Sequence, residues 1–478
     1  MSEGRVLPKS VDYTKILPLA VESRSRRRSF FPTNGQSFVD NANNIIRIDV
    51  SASAFLDTKH SYLRFRLTNN SGQGVGFDFG GGHGIIRRLR IEQAGNVLSD
   101  INHYNKLLSS IILPSQSGVD GLAHRSLTEG QRFVNQAGNG NSMNPCPAAE
   151  VSGAVMNTPT GSSGLVANGG QYTFSIPLVN GLLGTTQDKM VPLQLLGSSP
   201  LTIEIELAPL LDIGVFTAAA PAAGTSYTID NVRYIAQLVE VGPEVDAQLR
   251  MVQEMSGGKL VINGTDYTHF NGNIPAGATG NQVVNVPARR KSLKSLFFVG
   301  ASTTYAAAGA GGAEHNFVFN LSYGGNFNMT DYQVKIGSVV YPPTPVDCQF
   351  QGGNQAFQRG EVLSELSKCW GTLSSAHGTG CLSTINAYVA DCDVGNMALD
   401  AGPGAATATL RFAPFGLDME AFQRVAIESG INTASSSLPI SLILNVGAAN
   451  AEAINVDCYV SYDSLYFIDE TGAIRVSM

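Results

Sequence analysis

The sequence predicts an all-β protein of sandwich or barrel type, with two domains in tandem. Short segments that alternate in polarity or are rich in β-branched residues recur between turn residues along most of the chain. Glycine is abundant, at 52 of 478 residues, which favours many turns over long helices. The chain is also too long for one ordinary domain, so two β domains of roughly 200 residues each are expected.

The clearest strand pattern lies at 55–70, in the segment FLDTKHSYLRFRLTNN. Leu63, Phe65 and Leu67 project to one side of an extended chain, and the two arginines between them project to the other. The segment is therefore predicted to be a strand with one buried face and one charged face.

The rest of the first half continues in the same way. One helical pattern lies at 102–113, and a Gly- and Ser-rich stretch at about 115–170 interrupts the strands as a long surface loop. The other strands predicted in this half are 43–50, 84–93, 172–178, 200–209 and 231–241.

A second helix, predicted at 244–257, marks the boundary between the two domains. Val245, Leu249, Val252 and Met255 lie near one face of this helix, and two consecutive glycines form its stop. We therefore expect the first domain to end at residue 257.

The second half again consists mainly of strand patterns. A helix is predicted at 360–373, with Trp370 on its apolar stripe, where helix packing explains it better than a ligand site. The strands predicted in this half are 259–264, 292–300, 315–325, 331–347, 408–415, 439–447 and 454–469.

The two halves contain a weak internal repeat. In the first half SSPLTIEIELAP precedes DNVRYIAQLVEV, and in the second half SSLPISLILNVG precedes INVDCYVSYDSLYFID. Each time a turn rich in Ser and Pro leads into an alternating strand, followed by a loop, Asn-Val and a strand that contains Tyr. The repeat indicates two related β domains.

The charge of the chain is low and unevenly placed. Charged residues make up 14% of the chain, against about 25% in typical soluble proteins. Such a surface requires polar loops or extensive burial against partner subunits. The net charge of −7 argues against a protein that coats nucleic acid over its whole surface.

Basic residues concentrate at the amino terminus. The first 30 residues carry seven Lys and Arg against three acidic residues, and we interpret residues 1–40 as a basic arm. Arginines neutralise phosphates, so the run RSRRR is a candidate contact with nucleic acid. The alternatives are a solvated tail, a localisation signal, or an arm under a neighbouring subunit. The candidate site residues are Arg24, Arg26, Arg27 and Arg28.

No motif points to catalysis, a metal or a cofactor. The sequence has no phosphate-binding loop, no nucleophile elbow and no His-Glu-x-x-His. The seven histidines and six cysteines lack metal-like spacing, and the cysteines are expected to be reduced thiols of a protein made inside a cell. The chain opens without a secretory signal pattern and has no apolar run long enough for a membrane span.

Several segments together resemble one family. FLDTKHSYLRFRLTN, GIIRRLRIEQAGNVLSDINHYNKLLSSI, DYQVKIGSVVYPPTPVD with GEVLSELSKCWGTL, ESGINTASSSLPISLILNVG and VSYDSLYFIDETGAIRVS are similar to segments of double jelly-roll major capsid proteins of double-stranded DNA viruses. The resemblance is strongest to those of Polinton-like viruses, adintoviruses and virophages. It lies in the order and joint presence of the segments.

The resemblance implies two tandem eight-stranded jelly rolls with a few short helices and long surface loops. The expected division is an arm at 1–40, a first jelly roll at 41–257 and a second at 258–478. It further implies homotrimers of pseudo-hexagonal outline that tile an icosahedral shell in the virion after assembly in the host cell. Implied partners are neighbouring capsomers, penton and minor capsid proteins, and the genome or an inner membrane through the arm.

Two other classes of function remain open from the residues alone. A carbohydrate- or receptor-binding β-sandwich, such as a viral spike, would place aromatic residues in its long loops, yet 115–170 contains only Phe133 and no Tyr or Trp. A hydrolase built on two β domains would need a cleft of converging acids or histidines.

Overall fold

Four main antiparallel sheets, arranged as two pairs along the chain, form the framework of the protein. The structure is a computed structural model. The residues that it describes are 23–72, 75–77, 80–113, 128–130, 166, 168–184, 189–197, 199–216, 225–303, 321, 327–348, 360–370, 414–420, 430–435, 439–450 and 452–477.

The first pair of sheets uses strands from the first half of the chain. One sheet has the order β1-β12-β4-β8, with β2 beside β12 and β9 beside β4, and the other has the order β3-β10-β6-β7. A small separate sheet joins β5 and β11. The strands are β1 (Ser23–Phe30), β2 (Ser37–Val39), β3 (Ile45–Val50), β4 (Phe55–Asn69), β5 (Val75–Gly76), β6 (Ile86–Gln93), β7 (Asn96–Asn102), β8 (Gln171–Ile176), β9 (Val191–Pro192), β10 (Leu201–Leu207), β11 (Val215–Phe216) and β12 (Tyr227–Val241).

The second pair uses strands from the second half. Its sheets have the orders β13-β20-β15-β18, with β21 beside β20, and β14-β19-β16-β17. The strands are β13 (Leu260–Ile274), β14 (Gly280–Asn285), β15 (Leu293–Ser302), β16 (Met329–Ile336), β17 (Val339–Asp347), β18 (Phe415–Asp418), β19 (Ile440–Val446), β20 (Ile454–Ile468) and β21 (Ile474–Ser477).

The two halves have the same topology. When the eight main strands of each half are numbered along the chain, both halves form one sheet in the order 1-8-3-6 and one in the order 2-7-4-5. Two such four-stranded sheets, connected by crossovers between them, make a jelly roll. The fold is therefore a double jelly roll, as the resemblance implied.

The internal repeat in the sequence corresponds to this duplication. Its segments form the seventh and eighth strands of each half, which are β10 and β12 in the first and β19 and β20 in the second. Phe65 and Phe174 pair across the third and sixth strands of the first half, with ring centroids 5.2 Å apart. Phe298 and Phe415 occupy the same strands of the second half, at 4.8 Å.

Helices are few in the described part of the chain. α1 (Tyr104–Lys106) continues as a π-helix at Leu107–Ile112, and it lies within the segment predicted to be helical. α2 (Leu210–Ile213) is a single turn. α3 (Pro243–Met255) follows β12, and α4 (Gly360–Lys368) packs beside β18.

Most predicted strands are present, and β4 shows the predicted two faces. Leu63, Phe65 and Leu67 are buried, whereas Arg66 forms an ion pair with Asp230 of β12, 2.6 Å from Nε to Oδ1. The predicted strands at 315–325 and 408–415, and the loop at 115–170, lie almost entirely outside the described residues.

The amino-terminal part of the first half requires a correction. We predicted an arm over residues 1–40, but Ser23–Phe30 and Ser37–Val39 are strands of the first sheet. Both pair with β12, whose long backbone provides hydrogen-bonding partners for them. The first jelly roll thus takes its first strand from the predicted arm. Alternation did not reveal this strand because nearly all of its side chains are exposed.

Candidate functional site

The four predicted site arginines lie in β1, at one edge of the first sheet. β1 pairs antiparallel with β12, so that Arg24 lies opposite Glu240 and Arg26 opposite Leu238. Arg26 also forms an ion pair with Glu240, 2.7 Å from Nη2 to Oε1. The basic run is therefore part of the sheet.

Two of these arginines contact neighbouring parts of the same domain. Arg27 donates a hydrogen bond of 2.9 Å from Nη2 to the hydroxyl of Tyr62. Arg28 donates one of 3.3 Å to the carbonyl oxygen of Ser51, and its guanidinium lies 4.8 Å from the ring centroid of Phe30. Positive charge on an edge strand opposes pairing with another chain. Whether these arginines also contact nucleic acid or a neighbour remains a proposal.

The most concentrated polar site lies between the two halves of the molecule. Lys106, which ends α1, forms an ion pair with Oδ2 of Asp457 on β20. Nε2 of His269 on β13 lies 2.8 Å from Oδ1 of the same carboxylate. Burial alone would raise the pKa of Asp457, but the charge of Lys106 and the hydrogen bond from His269 lower it well below its ordinary value.

His103, from the first half of the chain, is the second histidine beside this ion pair. The ring of His103 lies 4.6 Å from that of His269, and its carbonyl oxygen accepts a 3.0 Å hydrogen bond from the hydroxyl of Tyr459. Burial, and then the charge of His269, lower the pKa of His103 to about 4. The imidazole of His103 is therefore neutral at physiological pH, which suits a site that already holds Lys106.

A buried carboxylate, Asp266 of β13, forms another contact between the halves. Its Oδ1 accepts hydrogen bonds of 3.0 Å from the hydroxyl of Ser99 on β7 and of 2.9 Å from the backbone amide of Tyr267. The backbone amide of Gly181 donates a longer bond of 3.4 Å to the same atom. Burial raises the pKa of Asp266 to about 6, against the lowering effect of these hydrogen bonds.

A third contact uses one side-chain amide. Nε2 of Gln93 on β6 donates to the carbonyl oxygen of Gly472, 3.0 Å away, and Oε1 accepts a 3.0 Å bond from the backbone amide of Ile474 on β21. The side chain of Gln93 is buried, and its amide group pairs with a backbone carbonyl and a backbone amide of the second jelly roll. These ion-pair and hydrogen-bond contacts hold the two halves in one relative orientation.

Local sequence patterns did not predict this interface. Its partners come from opposite halves, as with Gln93 and Ile474, which are 381 positions apart. An Asp in the middle of a strand, such as Asp457 or Asp266, would have been the clue, because an isolated acid is disfavoured where both faces of a strand are buried.

The described ranges contain no arrangement typical of a metal centre. No group of three or more His, Cys, Asp or Glu side chains there could hold a metal ion. Among the same residues, no helix is long and apolar enough to cross a membrane. Of the cysteines in the described ranges, Cys348 and Cys458 are buried and Cys369 is partly buried.

Solved structures with a similar fold are viral capsid proteins. PBCV-1 VP54, fitted into a reconstruction of the virophage Sputnik, matches with a TM-score of 0.57 and 11% identity over 98% of this chain and 99% of that one. The Faustovirus major capsid protein matches with a TM-score of 0.56 and 9% identity over 97% and 92%. The structure of the Sputnik virophage matches with a TM-score of 0.55 and 10% identity over 100% and 93%.

These matches extend over nearly the whole of each chain, so both jelly rolls are included. No family model matches the sequence, and no curated protein matches it either. The similarity is therefore one of fold, and the chain has the double jelly-roll fold of these major capsid proteins.

Proposed function

We propose that the protein is the major capsid protein of a double-stranded DNA virus and serves as a structural subunit of the virion shell rather than as an enzyme. The observation that supports this proposal most directly is the duplicated strand order, 1-8-3-6 and 2-7-4-5 in each half. The structures that match this fold over more than nine tenths of both chains include the PBCV-1 virus capsid and the Faustovirus major capsid protein.

Within this proposal the subunit assembles as a homotrimer. Two similar jelly rolls side by side give one subunit two lobes, and three subunits then present six lobes in a pseudo-hexagonal outline. This geometry requires the two lobes to keep a fixed orientation. The ion pair of Lys106 with Asp457 and the hydrogen bonds of Gln93 supply such a constraint, because buried polar contacts are directional.

The low charge content fits a protein that buries a large surface on assembly. Interface cores are depleted in charged residues, and 14% is well below the usual content. Trimers then tile an icosahedral shell, where their partners are neighbouring capsomers and the penton and minor capsid proteins. The amino-terminal end of the chain, ahead of residue 17, is proposed to reach the genome or an inner membrane.

The first experiment is a native mass measurement on the purified full-length chain, followed by negative-stain imaging of the same sample. A trimer has three times the subunit mass of 50.5 kDa, about 151.5 kDa. We expect this mass and particles of hexagonal outline, or closed shells. A stable monomer of two lobes would contradict the proposal.

A matched pair of variants links the trimer to the rigidity of the subunit. Lys106→Met removes the cation at the interface between the lobes. Arg47→Met removes a cation from the ion pair with Glu204 on the surface of the first jelly roll. We expect Lys106→Met to lower the yield of trimers and Arg47→Met to leave it unchanged. Equal yields from both variants would argue against a role of this interface in assembly.

A further inference from the structure

An apolar groove lies between α3 and the strands around it. Its volume is about 680 Å³, within the range of sites that bind small ligands or short peptide segments. Val245, Leu249 and Val252 of α3 form one wall. The other walls come from the ends of β4, β9, β12 and β13, including Phe55, Pro192, Val239, Val241 and Val261.

α3 does not bury its apolar stripe against the strands that it faces. Val252 is 51% exposed, although it points into a groove whose opposite wall is apolar. The buried side chain of the helix is Gln253, which donates hydrogen bonds to the carbonyl oxygens of Gly258 and Ile468 and fixes the helix to the second half. The helix is therefore fixed through this polar side chain, while Val252 and the groove beside it stay exposed.

The described chain begins at the rim of this groove. Ser23, the first residue of β1, lies opposite Val241, and Ser25 lies opposite Val239. Paired residues of antiparallel strands project to the same face. The face of β1 that carries Ser23 and Ser25 is thus the face on which the groove-lining valines lie.

The sequence directly before Ser23 is apolar and suited to an extended conformation. It reads ILPLAVE from Ile16 to Glu22. Because side chains alternate along an extended chain, Leu17, Leu19 and Val21 would fall on the same face as Ser23. Pro18 disfavours a helix at the residue before it. Val21 is two residues from Ser23, a reach of about 7 Å.

We propose that the groove is the docking site of residues 17–21 of the same chain, with Leu17, Leu19 and Val21 seated against Val252 and the valines of β12. The segment continues β1 past the end of β12 and covers the apolar stripe of α3. This docking is a property of the single subunit, so it does not depend on the proposed capsid function.

The first test places the photo-reactive amino acid p-benzoylphenylalanine at position 19 of the full-length chain. We expect cross-links to peptides within 239–262, in a product that has the mass of a single chain. The matched control carries the same probe at position 20, whose side chain faces away, and should give at least a fivefold lower yield. Equal yields at 19 and 20, or no cross-link in this region, would overturn the proposal.

The mass of the product separates this docking from an exchange between subunits. A cross-link that joins two chains would show that the groove takes the segment of a second copy, and the proposal would then be wrong. Dilution before irradiation checks this, because a link within one chain keeps its yield.

Hydrogen exchange gives a second measurement that needs no probe. The variant Leu17→Ser, Leu19→Ser, Val21→Ser should accelerate amide exchange in 243–256 at least tenfold, since α3 loses its cover. Ile16→Ser, on the alternate face, should leave these rates unchanged. Unchanged rates in the triple variant would overturn the proposal.

Discussion

Lys106 and Asp457, 351 positions apart in the chain, form an ion pair in the contact between the two jelly rolls. The Asp457 side chain is 4% exposed and that of Lys106 is 14% exposed, so water hardly screens the attraction between the two charges. The pair therefore depends on the two lobes being in place, and the position of the lobes depends in turn on the pair.

Removing the cation of this pair is expected to destabilise the protein strongly. Lys106→Met leaves the Asp457 carboxylate with His269 as its partner in a buried site, and we expect a loss of about 3 kcal/mol in the free energy of unfolding. Urea unfolding measures it. The control, Arg47→Met, breaks a pair whose arginine is 55% exposed and should cost less than about 1 kcal/mol. Similar losses in both variants would contradict the buried character of the pair.

A close backbone approach between the lobes predicts a second destabilising change. A Cβ atom on Gly264 of β13 would lie 1.9 Å from the carbonyl oxygen of Gly181, which belongs to the other half. Gly264→Ala must therefore push the two lobes apart, and we expect a cost of about 3 kcal/mol in thermal or urea unfolding. Gly35→Ala, where the nearest atom would be 3.5 Å away, is the control and should be nearly neutral. A neutral Gly264→Ala would show that the lobes are not in this contact.

The raised pKa of Asp266 predicts that the free energy of unfolding depends on pH. Its pKa is raised from 3.8 to about 6 in the folded protein, so the folded state binds the proton more tightly than the unfolded state. This carboxyl therefore costs stability above pH 6, and the cost disappears as the pH falls to about 4. Asp266→Asn keeps an acceptor for Ser99 and should stabilise the protein at pH 7 by roughly 3 kcal/mol but hardly at pH 4.

The measurement for Asp266 is urea unfolding of the variant and the parent protein from pH 4 to 8. Glu254→Gln, which changes an exposed carboxylate on α3, serves as the control. A difference between Asp266→Asn and the parent that stays constant over this range would contradict the raised pKa.

The arginines of β1 predict an effect on solubility. Replacing Arg24, Arg26 and Arg28 by Val gives the sheet an apolar edge, and we expect light scattering to increase at concentrations where the parent protein stays clear. Lys at the same three positions keeps the charge and should prevent the aggregation. If the Val and Lys variants behave alike, positive charge is not what protects this edge.

The sequence predicted the strands whose two faces differ. In β4 and β10 apolar and polar residues alternate, so each face has one chemical character and the period of two is visible. The helix before the second half was found for the same reason, since its stripe repeats every three to four residues. The duplication of the fold was also visible, as the repeat of the seventh and eighth strands.

Other elements could not be found in this way. β1 carries mainly Arg on one face and mainly Ser on the other, so neither face is an apolar stripe. The strand is defined by its pairing with β12, which lies more than 200 positions away along the chain. β14 alternates weakly, in the sequence GNQVVN, and also depends on its neighbour β19. Backbone hydrogen bonds to distant strands leave no trace in local composition, so an exposed edge strand resembles a loop or an arm.

By itself the sequence determined an all-β chain in two related halves, because burial on one face of a strand fixes a local alternation of residues. Only the tertiary structure decided which residues meet between the lobes. Lys106, Asp457, Asp266 and Gln93 each lie in segments whose local pattern serves one jelly roll. Their partners become neighbours when both jelly rolls have closed, since the energy of a buried polar contact depends on the distance and direction of atoms far apart in the chain.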